Sequence, residues 1–138
     1  MKLSTIVLGL ASVLPATATV SFAATGYAFG CSPGGCSNGF NVSAPAEYLN
    51  GAPAFNFHCN TILTRSYVPC AAIGAQTSEV SAQWLIMPAP YPYGSEGIWV
   101  SHVYKGTDGV TVNATGFFGY NSQSESPKSF ALGLVSVK

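Results

Sequence analysis

The sequence predicts an all-β, single-domain fold, an antiparallel β-barrel or sandwich of about six or seven strands supported by disulfides. Three observations predict it. Apolar and polar residues alternate in several short runs, as they do along half-buried strands. No segment beyond the N-terminal stretch carries a sustained 3.6-residue apolar repeat. Glycine and proline, 15 and 9 of the 138 residues, recur too often for long helices.

The first 23 residues read as a secretory leader, leaving residues 24–138 as the domain. Lys2 supplies the positive start, and Leu3 through Leu14 form a short apolar stretch. Ala16-Thr17-Ala18 and Ser21-Phe22-Ala23 both offer small residues at the −3 and −1 positions of a cleavage site. Cleavage after Ala23 is the preferred reading and cleavage after Ala18 the second. Thr17, Thr19 and Ser21 interrupt the run, which falls short of the ~20 apolar residues that span a bilayer, so no membrane insertion is expected.

From Ala24 to Gly39 the chain is rich in Gly, Ser and Cys and shows no period. Phe40 to Ser43 alternates, and Phe55-Asn56-Phe57-His58-Cys59 does so more cleanly. Between them lies a loop punctuated by Pro45, Gly51 and Pro53. Val80 to Met87 is the next strand, with Val80, Ala82, Trp84 and Ile86 on one face. Pro88 ends it, because proline has no N–H to give a ladder. Ile98, Val100, His102 and Tyr104 then alternate with Trp99, Ser101 and Val103. Gly106-Thr107-Asp108-Gly109 makes a hairpin turn back into Val110, Val112 and Ala114. A polar loop from Tyr120 to Lys128 precedes the closing strand, Phe130 to Val137.

Charged residues are only 7% of the chain, against ~25% in typical globular proteins. Beyond the leader the acids are Glu47, Glu79, Glu96, Asp108 and Glu125, and the cations Arg65, Lys105, Lys128 and Lys138. Four scattered cations cannot meet a phosphate backbone, so nucleic acid is excluded as a partner. Disorder is excluded as well, since aromatic residues are 12% of the sequence.

Export makes the cysteines disulfides. Four cysteines permit three pairings. The preferred one is Cys59–Cys70 with Cys31–Cys36, since Cys59 ends a strand and Cys31-Ser32-Pro33-Gly34-Gly35-Cys36 is a turn that closes locally. A zinc site would need Cys31, Cys36, His58 and Cys59, but adjacent His58 and Cys59 point to opposite faces of a strand. No metal and no cofactor are expected.

The order Phe40-Asn41-Val42-Ser43, Phe55-Asn56-Phe57-His58-Cys59 and Tyr67-Val68-Pro69-Cys70 resembles the core of the Alt a 1-like proteins. The segments Gly97–Gly116 and Ser129–Val137 resemble the later strands of that pattern. The resemblance implies a fungal, secreted β-barrel of the allergen, elicitor and virulence-effector kind, with no catalytic site to carry over.

The residues give no catalytic signature, and the chain is read as a non-enzyme. Glu47, Glu79, Glu96 and Asp108 have no spacing that demands a glycosidase pair and read as surface acids. A triad from Ser101 or Ser95 with His102 and Asp108 lacks a nucleophile-elbow motif. The binding candidates are Tyr91, Tyr93 and Trp99, in or beside a proline-stiffened loop, where rigid aromatic side chains offer contact area at low entropic cost. Asn41-Val42-Ser43 and Asn113-Ala114-Thr115 are possible N-glycosylation sequons. The expected function is a secreted effector or elicitor that binds a host, plant extracellular protein. The alternative is a wall-associated protein that binds a polysaccharide.

Overall fold

The computed structural model describes residues 20–64, 66–123 and 127–138, so most of the leader expected from the sequence lies outside the described residues. They form one antiparallel sheet of nine strands curled into a nearly closed barrel. The strands are β1 (Ser21–Ser32), β2 (Gly35–Ala44), β3 (Phe55–Ile62), β4 (Val68–Pro69), β5 (Ala71–Ala72), β6 (Glu79–Ile86), β7 (Ser95–Lys105), β8 (Thr111–Asn121) and β9 (Phe130–Val137). Their order around the sheet is β4-β6-β7-β8-β9-β1-β2-β3-β5. Each long strand pairs with the long strand that follows it in sequence, except that β3 does not pair with β6, and β9 pairs back to β1.

The count of nine corrects the expected six or seven. Two of the additional strands, β4 and β5, are only two residues long. The other is β1, which sequence periodicity hides for a physical reason. Phe22 and Ala24 point inward with normal alternation, and then Tyr27 is inward as well. The register with β2 slips between Thr25 and Ala28, and Gly26 there has φ 64°. This bulge inserts one residue and resets the phase, so period two is lost from the sequence but kept in space.

The core is the inside of the barrel. β3 is the simplest case: Phe55, Phe57, Cys59 and Thr61 point in, while Asn56, Asn60 and Ile62 point out. Phe22, Phe40, Val42, Ile98, Val100, Ala114 and Leu132 are all buried to within 1%. Phe22 meets Phe55 edge-on at 5.1 Å and Tyr48 at 5.3 Å. Its ring crosses Gly116, where an added Cβ would fall 2.9 Å from Phe22 Cδ2 and 3.0 Å from Leu132 Cβ. Glycine at 116 is therefore the space that Phe22 occupies.

Strands β3 and β6 leave a seam, and the chain between them closes it. Val68 and Pro69 pair with Ala82 and Ser81 of β6, while Ala71 and Ala72 pair with His58 and Phe57 of β3. Cys70 sits between these two contacts. Its N–H donates to Val80 O at 2.8 Å, and its sulfur is bonded to Cys59 of β3. The second disulfide joins Cys31 to Cys36 across the β1–β2 hairpin, where those residues are already register partners.

Two predictions follow from this architecture. Ser21 to Ala23 belong to β1 and pair with β9, and Phe22 is 0% exposed. A leader cut after Ala23 would remove that ring, and truncating a buried Phe costs about 3–5 kcal/mol. Cleavage after Ala18 keeps it, so N-terminal sequencing of exported protein is expected to read from Thr19. A start at Ala24 in folded material would refute this. Loss of the seam bridge in Cys59→Ala/Cys70→Ala should cost about 2–5 kcal/mol in urea unfolding. Cys31→Ala/Cys36→Ala should cost less, since strand pairing already closes its shorter loop. The reverse order would refute the seam's role.

Candidate functional site

The up-and-down path brings the ends of β1, β3, β6 and β8 to the same rim as the starts of β2, β7 and β9. Five polar residues stand on inward-facing positions at this rim: Tyr27, Asn38, Thr61, Glu96 and Tyr120. Buried polar groups need partners, and these provide them for one another. Thr61 donates to Asn38, its register partner on the neighbouring strand. Asn38 Nδ2 donates to Tyr27 OH at 3.4 Å, and Tyr27 OH lies 3.0 Å from Tyr120 OH. Tyr120 OH donates to Glu96 Oε1 at 2.6 Å, and Trp84 Nε1 donates to the same oxygen at 3.1 Å. The chain of bonds thus starts inside the barrel and ends on a half-buried carboxylate. Burial raises the hydroxyl pKa of Tyr120, and its bond to Glu96 raises it further.

Glu96 stands where three cavities meet. The largest, about 420 Å³, is lined by Ile86, Met87, Tyr91, Tyr93, Glu96 and Gln123 among others. A small one of about 50 Å³ lies inward, between Phe29, the Cys31–Cys36 bridge, Trp84 and Tyr120. The third, about 260 Å³, runs along the outside past Met87, Tyr91, Phe117 and Gly119. The outer wall of this site is the segment between β6 and β7. Tyr91 N–H donates to Pro88 O, Ser95 N–H to Pro92 O and Met87 N–H to Ser95 O, so the loop folds on itself. Asn121 Nδ2 donates to Tyr93 O, and Ser122 Oγ and N–H both reach Gly94 O. These bonds fix the loop to the end of β8 and hold its tyrosines outward.

Tyr91 and Tyr93 are therefore brought together, 55% and 89% exposed, on one cavity wall. Trp99 is not on that wall. It faces outward from β7, half-buried, packed against Phe117 with ring centroids 4.8 Å apart. Gly97 makes the room, since a Cβ there would lie 2.7 Å from Phe117 and 2.8 Å from Trp99. Asn41 and Asn113 are exposed on outward strand positions. Asn41 Oδ1 lies 2.7 Å from His58 Nδ1, and Asn113 Oδ1 accepts from Ser101 Oγ at 2.6 Å.

The reading of Glu96 as a surface acid overlooks its phase. It lies two residues before Ile98, on the face that Ile98, Val100, His102 and Tyr104 turn inward. A carboxylate on the apolar face of a strand is the signal that marks it. Asn38 and Thr61 carry the same signal on β2 and β3.

The opposite end of the barrel holds a second polar cluster. His102 is 0% exposed, with Tyr48 OH 2.6 Å from Nδ1 and Ser78 Oγ 2.7 Å from Nε2. The Phe55 ring lies 4.1 Å from it and the Tyr104 ring 5.0 Å. A neutral imidazole donates through one nitrogen and accepts through the other, which suits two hydroxyls. Ser101, Ser95 and Asp108 are not its partners. Ser101 bonds Asn113, and Asp108 Oδ1 accepts from Val110 N–H within the hairpin turn.

Burial lowers the His102 pKa from 6.5 to about 4. The unfolded chain binds a proton near 6.5 and the folded chain does not, so stability is full above that value. It is lost as pH falls from 6.5 toward 4, by about 3 kcal/mol in all at 1.36 kcal/mol per unit. Urea midpoints measured between pH 7 and pH 4 should show the loss, and His102→Gln should flatten it. An unchanged slope in the variant would refute the assignment.

Among the described residues no three His, Cys, Asp or Glu side chains gather to hold a metal ion. No described helix is long and apolar enough to cross a membrane. No family model, curated protein or solved structure matches the chain.

Proposed function

We propose that this chain is a secreted binding protein that engages an extracellular host protein through the Tyr91–Tyr93 end of its barrel, as an effector or elicitor does. The observation that carries this reading is the exposure of Tyr91 and Tyr93 on a loop tied down by its own backbone bonds and by Asn121 and Ser122. Exposed tyrosines on mobile loops lose freedom when they dock. These are already held, so less entropy is lost and more of the contact energy remains. The two disulfides suit an oxidising, extracellular setting. The Alt a 1-like resemblance points to the same class of protein.

A second reading, retention on a wall polysaccharide, has one observation in its favour. The Trp99 and Phe117 rings pack at a tilt of 47° over Gly97 on the outside of the sheet, beside the groove that Tyr91 shares with Phe117. Sugar rings stack on such aromatic faces.

Tyr91→Ala/Tyr93→Ala should weaken partner binding by more than ~1 kcal/mol, while thermal stability stays close to that of the parent. Capture of extracellular host proteins on immobilised wild type and variant, beside a melting curve for each, checks both. Loss of stability would place the tyrosines in the core's support. Unchanged capture would place the contact surface elsewhere. Retention on chitin or glucan beads that Trp99→Ala abolishes, with no host protein captured, would favour the polysaccharide.

A further inference from the structure

We propose that the cavity at the Glu96 rim is a seat for a cationic side chain, an arginine, presented by the protein partner. This rests on the reading of that end as the docking surface and adds the chemistry of its central contact.

The first ground is charge. The sequence has five acidic residues, and one of them stands half-buried at the barrel rim. Withdrawing a carboxylate from water is costly unless it is paired or hydrogen-bonded. Among the described residues the donors to Glu96 are both neutral, Trp84 and Tyr120. Among the described residues no lysine, arginine or histidine lines any of the three cavities around it. The rim therefore holds a negative charge that the described residues orient but do not neutralise.

The second ground is geometry. Trp84 and Tyr120 both bind Oε1, which fixes the carboxylate and commits that oxygen. The other oxygen, Oε2, has no hydrogen-bond donor among the described residues. Tyr120 is held in turn by Tyr27, and Tyr27 by Asn38, so the whole chain of bonds stiffens the acceptor. Fixed acceptors are what charge-assisted hydrogen bonds reward.

The third ground is the wall. Tyr91 and Tyr93 line the same cavity as Glu96. A guanidinium is planar, weakly hydrated and stacks on aromatic faces, whereas an ammonium ion is compact and strongly hydrated. A neutral sugar hydroxyl brings no charge of its own to offset that of Glu96. A cation gains most from the negative charge, and of the cations arginine stacks best on the rings.

The two tryptophans of the chain make the test direct. The indole N–H of Trp84 donates to Glu96, so its ¹⁵N–¹H resonance reports on the site, and Trp99→Phe assigns it. Titration with Nα-acetyl-arginine amide should move the Trp84 peak saturably. Nα-acetyl-citrulline amide, of the same shape without the charge, should leave it unmoved over the same range. Glu96→Gln keeps an acceptor for Trp84 and Tyr120 and should weaken the arginine probe by about tenfold or more. A well-dispersed spectrum of that variant verifies its fold. Equal shifts from the two probes would overturn the proposal, and so would a wild-type protein that answers to neither. Tighter binding of putrescine, or of a chitin or glucan oligosaccharide, would overturn it in favour of that ligand. Partner capture separates this seat from the broader reading. If Glu96→Gln captures the partner as well as wild type while Tyr91→Ala/Tyr93→Ala does not, the docking surface stands and the arginine seat falls.

Discussion

The seam between β3 and β6 is the point at which the sheet stops being an open ribbon and acquires an inside. Seven strands of eight residues or more could pair as a curved sheet with two long free edges. Free edges recruit other chains. Here residues 68–72 take both edges at once, two residues to each, and Cys70 fixes the crossing with a covalent bond to Cys59 and a backbone bond to Val80. The main-chain bond from Thr64 to Trp84 O and that from Ile73 to Asn56 O extend the closure on either side. Constraining this short crossing also reduces the entropy of the unfolded chain, so the bridge acts on both states.

Closure is what makes the interior layered. Its middle is apolar, from Phe22, Phe40, Val42, Ile98, Val100 and Leu132. Each rim carries polar groups that face inward and must be satisfied there. At one end the bonds run from Thr61 through Asn38, Tyr27 and Tyr120 to Glu96. At the other, Tyr48 and Ser78 hold His102. The two clusters differ in kind. His102 is enclosed and neutral, and its hydroxyl partners join the Pro45–Ala54 and Ile73–Ser78 connections to the strands. Glu96 is only half-covered and opens toward exposed tyrosines. The first is a fastening. The second is open to solvent.

The rigid barrel also explains how so few charges suffice. Many outward strand positions carry Asn or Thr, as at Thr25, Asn41, Asn56, Asn60 and Asn113, which meet water without a charge. Of the exposed apolar residues, Phe29, Ile86, Tyr91 and Tyr93 line cavities at the Glu96 rim, while Tyr67, Ile73, Val110, Val135 and Val137 lie elsewhere. A patch of this kind on a scaffold that cannot deform is suited to contact.

The all-β class and most of the strands were legible because a strand reveals itself locally: β3, β6, β7 and β8 alternate with period two, and Asp108-Gly109 marks the hairpin between the last two. β1 was not, because the bulge at Gly26 breaks its period and its first residues resemble a leader. β4 and β5 were not, because two residues carry no period at all. Tyr91 and Tyr93 could be picked out from the prolines beside them. Glu96 could have been picked out from its phase in β7, but its partners could not. Trp84, Tyr120 and Tyr27 lie 12, 24 and 69 positions from it, and only the winding of the barrel puts them at one rim. By itself the sequence determined which residues face in and which face out along strands that alternate without a bulge, since there facing is a property of each strand alone. The tertiary structure decided which inward polar residues meet, because register and closure are properties of strands taken together.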